Sequence, residues 1–369
     1  MRSVITRARR VMGVFGAAAL AAGGGVALNA SAASAATTTV HTKAQLQAAW
    51  QNPATSDITL AADIATCGTM SRSSTTAVTV HGNGHALRST CAGTMLRQTG
   101  VGAVGVFRLT LRDAMPNNDN LDGGNALDAP LAAVRVDHDL VENNSAYKGG
   151  AVHAKSLVIV SSRFVHNGNA IADEQIGSAG AVVAEGDVAV QNSTFADNVA
   201  YGEAGIVAKG TVTVTGSTFI DNGGRDGAMA VAAANATITS STFTNNISYD
   251  AFPAPGGAVG VSGTLRVSHS TFTGNQGGIG DGGALGGPTI AVVDSVFSGN
   301  GTAEGRGGAI EGNDVAVTRS TFHHNGADGA GGAIHAEHSL LAVASTFDGN
   351  LTEVGGTPNP TGGAISGAR

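Results

Sequence analysis

Apolar and polar residues alternate in short runs along most of this chain, and the runs recur at a nearly constant interval. Asp314-Val315-Ala316-Val317-Thr318-Arg319-Ser320-Thr321-Phe322 is one run and Gly210-Thr211-Val212-Thr213-Val214-Thr215 is another. Valine and threonine at period two predict strands with one buried face. Each group of runs ends in the same phrase: an apolar residue, two variable residues, then asparagine. Phenylalanine fills the apolar slot at 164, 195, 219, 243, 272, 297, 322 and 347, and Leu140, three residues before Asn143, fills it in an earlier copy. The intervals are 24, 31, 24, 24, 29, 25, 25 and 25 residues. A second phrase, Gly-Gly-Ala plus an aliphatic residue, alternates with the first; full copies begin at Gly149, Gly256, Gly282, Gly307, Gly331 and Gly362.

A fixed period of this kind predicts a solenoid, because one repeat cannot bury its own apolar face and must stack on its neighbours. Three short strands and three turns fill such a period. Helix-length periodicity is missing from the repeats, and a propeller blade needs about 40 residues. The predicted fold is therefore all-β, a right-handed, single-stranded parallel β-helix. Phenylalanine at one slot per coil predicts an interior aromatic column. The asparagine is expected to take the left-handed conformation of a turn and to hydrogen-bond to its equivalents one coil above and below. The paired glycines suit a tight corner, and the alanine after them a narrow interior.

These alternating phrases resemble the GGA(I/L/V) and FxxN repeats of the polymorphic outer-membrane protein family, and more broadly the pectate-lyase-like β-helices. The resemblance covers residues 140–369 well and 58–139 loosely. It implies surface display, adhesion or an antigen-like role. The chain shows no long membrane barrel after its repeats, so the outer-membrane autotransport of that family is not expected.

Residues 1–35 read as a signal peptide: Arg2, Arg7, Arg9 and Arg10, an Ala/Gly/Val-rich stretch, then Ala33-Ser34-Ala35. The Arg9-Arg10 pair leaves ordinary and twin-arginine export both open. Without those four arginines, 16 basic residues face 27 acidic ones, a net of −11. That charge disfavours nucleic acid and anionic lipid as partners, and disfavours strongly acidic polysaccharides unless calcium bridges them. No later stretch is long and apolar enough to span a membrane, and the oligomeric state is left open. Cys67 and Cys91 lie one coil apart. Parallel neighbours about 4.8 Å apart suit a disulfide, which export to an oxidising space permits; the alternative is two free buried thiols. Residues 36–57 form an N-terminal segment before the β-helix at 58–369. Within it Thr42-Lys43-Ala44-Gln45 reads as a capping box, with Leu46, Ala49 and Trp50 on one helical face, so Trp50 is expected to plug the open end of the tube. At the other end the chain stops a few residues into a new coil, which either pairs with something or continues in a longer protein.

Connections after the turn asparagine swell at 168–178, 247–255 and 351–361. In a solenoid, insertions at one phase emerge along one edge, and such edges bind ligands. Tyr147, Tyr201, Tyr249 and Phe252 fall at that phase beside Lys148, Glu203, Arg225, Asp226, Asp250, Glu304 and Arg306, a strip suited to polysaccharide or another cell-surface ligand. Asn118, Asn120, Asp122 and Asp128 resemble half a calcium loop, without its bidentate glutamate; no other cofactor is expected. For catalysis, Asp137, His138, Asp139, Glu142, Lys148, Lys155, Arg163 and His166 supply acid, base and cationic groups within about one coil, while Asp113, Asp119 and Asp122 are neighbouring carboxylates. The catalytic signatures of polygalacturonase-like enzymes and lyases are missing, so no catalytic residue is assigned. His323, His324, His335 and His338 read as exposed. The expected function is a secreted, non-catalytic, ligand-binding β-helix, the alternative a secreted polysaccharide lyase or glycoside hydrolase.

Overall fold

A computed structural model describes residues 36–115, 124–146, 149–168, 180–225, 227–249, 256–280, 282–354, 357–359 and 363–367. Their strands pair in parallel, coil upon coil, except for a hairpin between Leu351–Val354 and Thr357–Asn359. An 18-stranded sheet and a 12-stranded sheet form two walls; the third is interrupted into sheets of 3 and 4 strands. In the main sheet one column of buried aliphatics runs from Ile58 through Val80, Val106 and Val136 to Val292 and Val317. This is the expected β-helix.

The phenylalanines stand inside it. Phe164, Phe195, Phe219, Phe243, Phe272, Phe297 and Phe322 are fully buried, and successive ring centroids lie 4.7–4.9 Å apart with planes within 7°. The spacing is that of neighbouring strands, so each ring stacks because its strand does. The asparagines form a second column from Asn144 to Asn350. Each Nδ2 donates to the Oδ1 of the next at 2.8–3.1 Å. It also donates to a carbonyl one coil back, as Asn275 does to Phe243 at 3.0 Å. The same Oδ1 accepts a backbone N–H, as Asn300 does from Asn275 at 3.0 Å. A buried amide is tolerable only when its polar atoms are partnered in this way.

Two expectations need correction. The left-handed turn residue is not the ladder asparagine but the residue before it: His166, Asp197, Asp221, Asn245 and His324 have φ of 50° to 54°, and Gly274, Gly299 and Gly349 have 60° to 64°. The asparagine is buried because its amide lies along the ladder, so the residue beside it turns the chain. The earliest copy is also shifted by one. Val141, not Leu140, pairs with Phe164, and Asn144, not Asn143, heads the ladder. Side chains alternate between faces, so a one-residue slip turns Leu140 outward.

The two glycines of the second phrase have separate reasons. Gly282 and Gly307 adopt φ of 79° and 66°, whereas a Cβ on Gly283 or Gly308 would strike the carbonyl oxygen of Gly308 or Gly332 on the next coil. A serine column lines the opposite corner of the 12-stranded sheet: Ser193 N–H donates to Ser217 Oγ at 3.1 Å, and that hydroxyl donates to Thr215 O at 2.9 Å.

The N-terminal end is closed by the helix Lys43–Gln51. Thr42 caps it, accepting from Gln45 N–H at 3.3 Å, while Gln45 Oε1 accepts from His41 N–H at 2.8 Å. Leu46, Ala49 and Trp50 face the tube and are buried. The helix lies between Ala36–Val40 and Thr55–Leu60, which pair in parallel, so the main sheet begins before the cap. Arg72, also fully buried, donates to the carbonyls of Trp50, Asn52, Pro53 and Thr55 at 2.7–3.2 Å. Of these, the Trp50 carbonyl is one of the orphan acceptors of the helix's last turn. Cys67 and Cys91 are disulfide-bonded, their Cα atoms 5.0 Å apart.

Candidate functional site: the tyrosine edge

The edge is set by the asparagine ladder. Three residues beyond Asn198, Asn222 and Asn246 stand Tyr201, Arg225 and Tyr249. The short strands before them are in register, Ala200 opposite Gly224 and Gly224 opposite Ser248, so the three side chains leave successive coils at one position. The Arg225 guanidinium lies over the Tyr201 ring, 5.2 Å from its centroid, a cation–π geometry. Tyr201 is half-buried and Tyr249 is 66 % exposed. The Tyr249 ring lies against Gly223, where a Cβ would come within 3.3 Å of it. Tyr147 and Phe252, the other two aromatics expected here, lie outside the described residues, as do Asn118, Asn120 and Asp122.

Asp128 is described and almost wholly buried. Its Oδ2 faces Arg97 Nε at 3.1 Å and its Oδ1 faces His153 Nδ1 at 3.0 Å. His153 Nε2 meets Glu185 Oε1 at 3.3 Å, and the other oxygen of Glu185 accepts from Lys209. One carboxylate oxygen of Asp128 thus faces a guanidinium and the other an imidazole. Arg97, Asp128, His153, Glu185 and Lys209 come from five successive coils, basic and acidic side chains alternating. Burial pulls the His153 imidazole toward neutrality, but the bonds from Asp128 and Glu185 outweigh it and raise its pKa. The Lys209 ammonium, chiefly, holds Glu185 below the usual range. This line was not anticipated. Its signal was available: His153 directly follows Gly149-Gly150-Ala151-Val152, and Asp128 has the same offset from Ala126-Leu127.

Among the described residues the candidate catalytic groups do not converge, and Lys148 lies outside those residues. Asp137 is hydrogen-bonded to Arg135 and His138; burial pushes its carboxyl up, and those two bonds more than reverse it. Asp139 points into the tube and accepts from the backbone N–H groups of Leu109 and Asp137, both at 2.7 Å. Burial there raises its pKa to about 7. Glu142 faces Arg112 at 3.9 Å and His166 faces Asp197 at 3.6 Å, both on the other wall. Asp113 pairs with Arg88 at 2.8 Å, and Asp119 and Asp122 lie outside the described residues. His323 contacts His324 and Asp348 on the 12-stranded sheet, whereas His335 meets Arg306 from the main sheet. Among the described residues no group of three or more His, Cys, Asp or Glu is arranged to hold a metal ion.

A family model described as a pectate lyase-like adhesive domain matches residues 37–225, half of the chain. The chain belongs to that family. Beyond that match, residues 319–337 resemble the repeat of the Chlamydia polymorphic membrane protein, over the last Phe-x-x-Asn and Gly-Gly-Ala copies but one. The two matches support a β-helix surface protein that binds surface ligands. No curated protein sequence matches the chain. Similar solved structures include the SRRP of L. reuteri 53608, 11 % identical, with 90 % of this chain and 100 % of that one covered at a TM-score of 0.36. Another is a mannuronic acid specific polysaccharide family 6 lyase from human gut microbiota, 11 % identical, covering 90 % and 91 % at a TM-score of 0.39. Among the described residues no helix is long and apolar enough to cross a membrane.

Proposed function

We propose that this protein is a secreted, non-catalytic β-helix that binds glycans or other surface ligands along the edge carrying Tyr201, Arg225 and Tyr249. One observation carries the reading: the three side chains leave successive coils in register, so the solenoid itself spaces them. Neighbouring coils stand about 4.8 Å apart, which puts the two rings two coils apart along the axis. A rigid row of that kind meets an extended polymer without ordering a loop first, which lowers the entropic cost of binding. The adhesive-domain family agrees with such a role. Replacing Tyr147, Tyr201 and Tyr249 together by Ala is expected to abolish retention on immobilised glycans or glycan-bearing surfaces while the far-ultraviolet spectrum stays unchanged. Full retention by the triple variant would remove the reading.

A second reading, a polysaccharide lyase or hydrolase, has one observation in its favour: His153 held between two carboxylates on the main sheet, beside Arg97. Its test is incubation with pectin, alginate or glycosaminoglycan plus calcium. New unsaturated or reducing ends that vanish in His153→Ala would support it, and a panel without product would leave the binding role alone.

A further inference from the structure

We infer that the edge selects uncharged glycans, with Tyr249 as its stacking platform and Tyr201 as a support rather than a second platform. This rests on the glycan-binding reading above and divides its tyrosines into two roles. The division comes from what lies over each ring. Arg225 occupies a face of Tyr201, which is half-buried. Tyr249 instead stands 66 % exposed. The residue at its position on the next coil is Gly278: Ile247 pairs with Gln276, which places Gly278 opposite Tyr249. Gly278 has φ of 60°, and a Cβ there would lie 3.6 Å from the Tyr249 backbone carbon. One coil further the position is held by Ala303, whose N–H donates to Gly278 O at 2.6 Å. The column therefore reads aromatic, cation, aromatic, glycine, alanine. Among the described residues, the edge positions beyond Tyr249 are a shelf of small residues, bordered by Ile279, itself 47 % exposed.

A ring wall beside glycine and alanine fits the flat C–H face of a pyranose, which packs on an aromatic ring while its hydroxyls stay in reach of polar groups and water. Charge decides which sugars fit. Glu304 and Asp328 are exposed on this edge, four and three residues past their ladder asparagines. The described cations are already engaged: Arg225 lies over Tyr201, and Arg306 pairs with Glu311 at 3.4 Å and Glu337 at 3.5 Å. A polyuronate or sulfated chain would lie against like charge, whereas neutral sugar hydroxyls can donate to carboxylates.

The test is affinity gel electrophoresis of the full chain in 0.15 M NaCl without calcium. One set of gels carries the neutral polymers galactomannan and laminarin, the other polygalacturonate and alginate. We expect a neutral polymer to retard the protein and the acidic ones not to. Tyr249→Ala should weaken retention about tenfold or more, Tyr249→Trp should keep it, and Tyr201→Ala should cost about threefold or less, consistent with one stacked ring lost. Unchanged melting temperatures would exclude a folding defect. Retention by acidic polymers alone, lost in Tyr249→Ala, would overturn the neutral class and leave the glycan edge standing. Equal losses in the two alanine variants would overturn the division of roles. Retention by none of the four would remove the glycan reading itself and this inference with it.

Discussion

The coils before Asp137 and the coils from Phe164 onward are the same fold held together in two ways. In the later coils each rung repeats a stacked phenylalanine, a bridging asparagine and a bridging serine, all uncharged and all in register. In the earlier coils the phenylalanine slot holds Leu87 and Leu111. Their cross-links are individual: the Cys67–Cys91 disulfide, Arg72 against the helix carbonyls, the Arg88–Asp113 pair, and Asp128 between Arg97 and His153. A ladder is cheap to specify because one phrase, copied, satisfies its own polar atoms on the next coil. Without the phrase each coil needs its own device, and buried charges appear among them.

The comparison breaks most sharply in the middle of the ladder. Phe243→Ala removes a fully buried ring stacked on both faces, and is expected to cost about 3–5 kcal/mol. Because solenoid stability is a sum of coil and nearest-neighbour terms, the loss should also split the denaturation curve into two transitions, read by urea titration with hydrogen exchange on either side of the gap. A single undisturbed transition would show that the rings are replaceable filling. At the other end, Cys67→Ser with Cys91→Ser opens a 24-residue loop, an expected loss of about 3 kcal/mol. Exchange should rise in residues 43–112 and stay unchanged beyond Phe195. Equal acceleration along the whole chain would mean that the two regions are one cooperative unit.

How much of this was legible follows from the same division. The phenylalanine column and the disulfide could be read from spacing alone, since both depend only on the coil length. The position of the left-handed turn could also have been read: the residue before each ladder asparagine is His, Asp, Asn or Gly, from Asn143 to Gly349, the types that tolerate φ > 0. The asparagine recurs in every copy because a buried amide ladder requires it, not because it turns the chain. Leu140 was misplaced by one because Asn143 and Asn144 are adjacent and only pairing with Phe164 chooses between them. The tyrosine edge was visible because it is counted from the ladder. The Asp128–His153 line was not, because its members lie just outside both phrases and meet only through register.

Asp139 marks the boundary between the regions, and it gives the smallest and most specific prediction. It stands where every later coil has serine, and its backbone N–H already donates to Ser162 Oγ at 3.0 Å. Asp139 is thus the first member of the serine column, with a carboxyl in place of a hydroxyl. Its folded pKa, about 7, lies above the ordinary 3.8 because burial disfavours the charge more than two backbone N–H groups favour it. Between those values the folded state holds a proton that the unfolded state releases. Stability should therefore be greatest at the acid end of that window, fall as pH rises from about 4 to about 7, and level off above. In Asp139→Ser the hydroxyl can still accept from Leu109 N–H, as Ser193 does from Ser162 at 3.1 Å, and this slope should vanish. The variant should gain on the parent by about 1–3 kcal/mol between pH 4 and pH 8, with no such gain at pH 4. Urea midpoints of both proteins at the two pH values measure it. Parallel midpoints would show that the carboxyl is ionised throughout, held by its two backbone donors against burial.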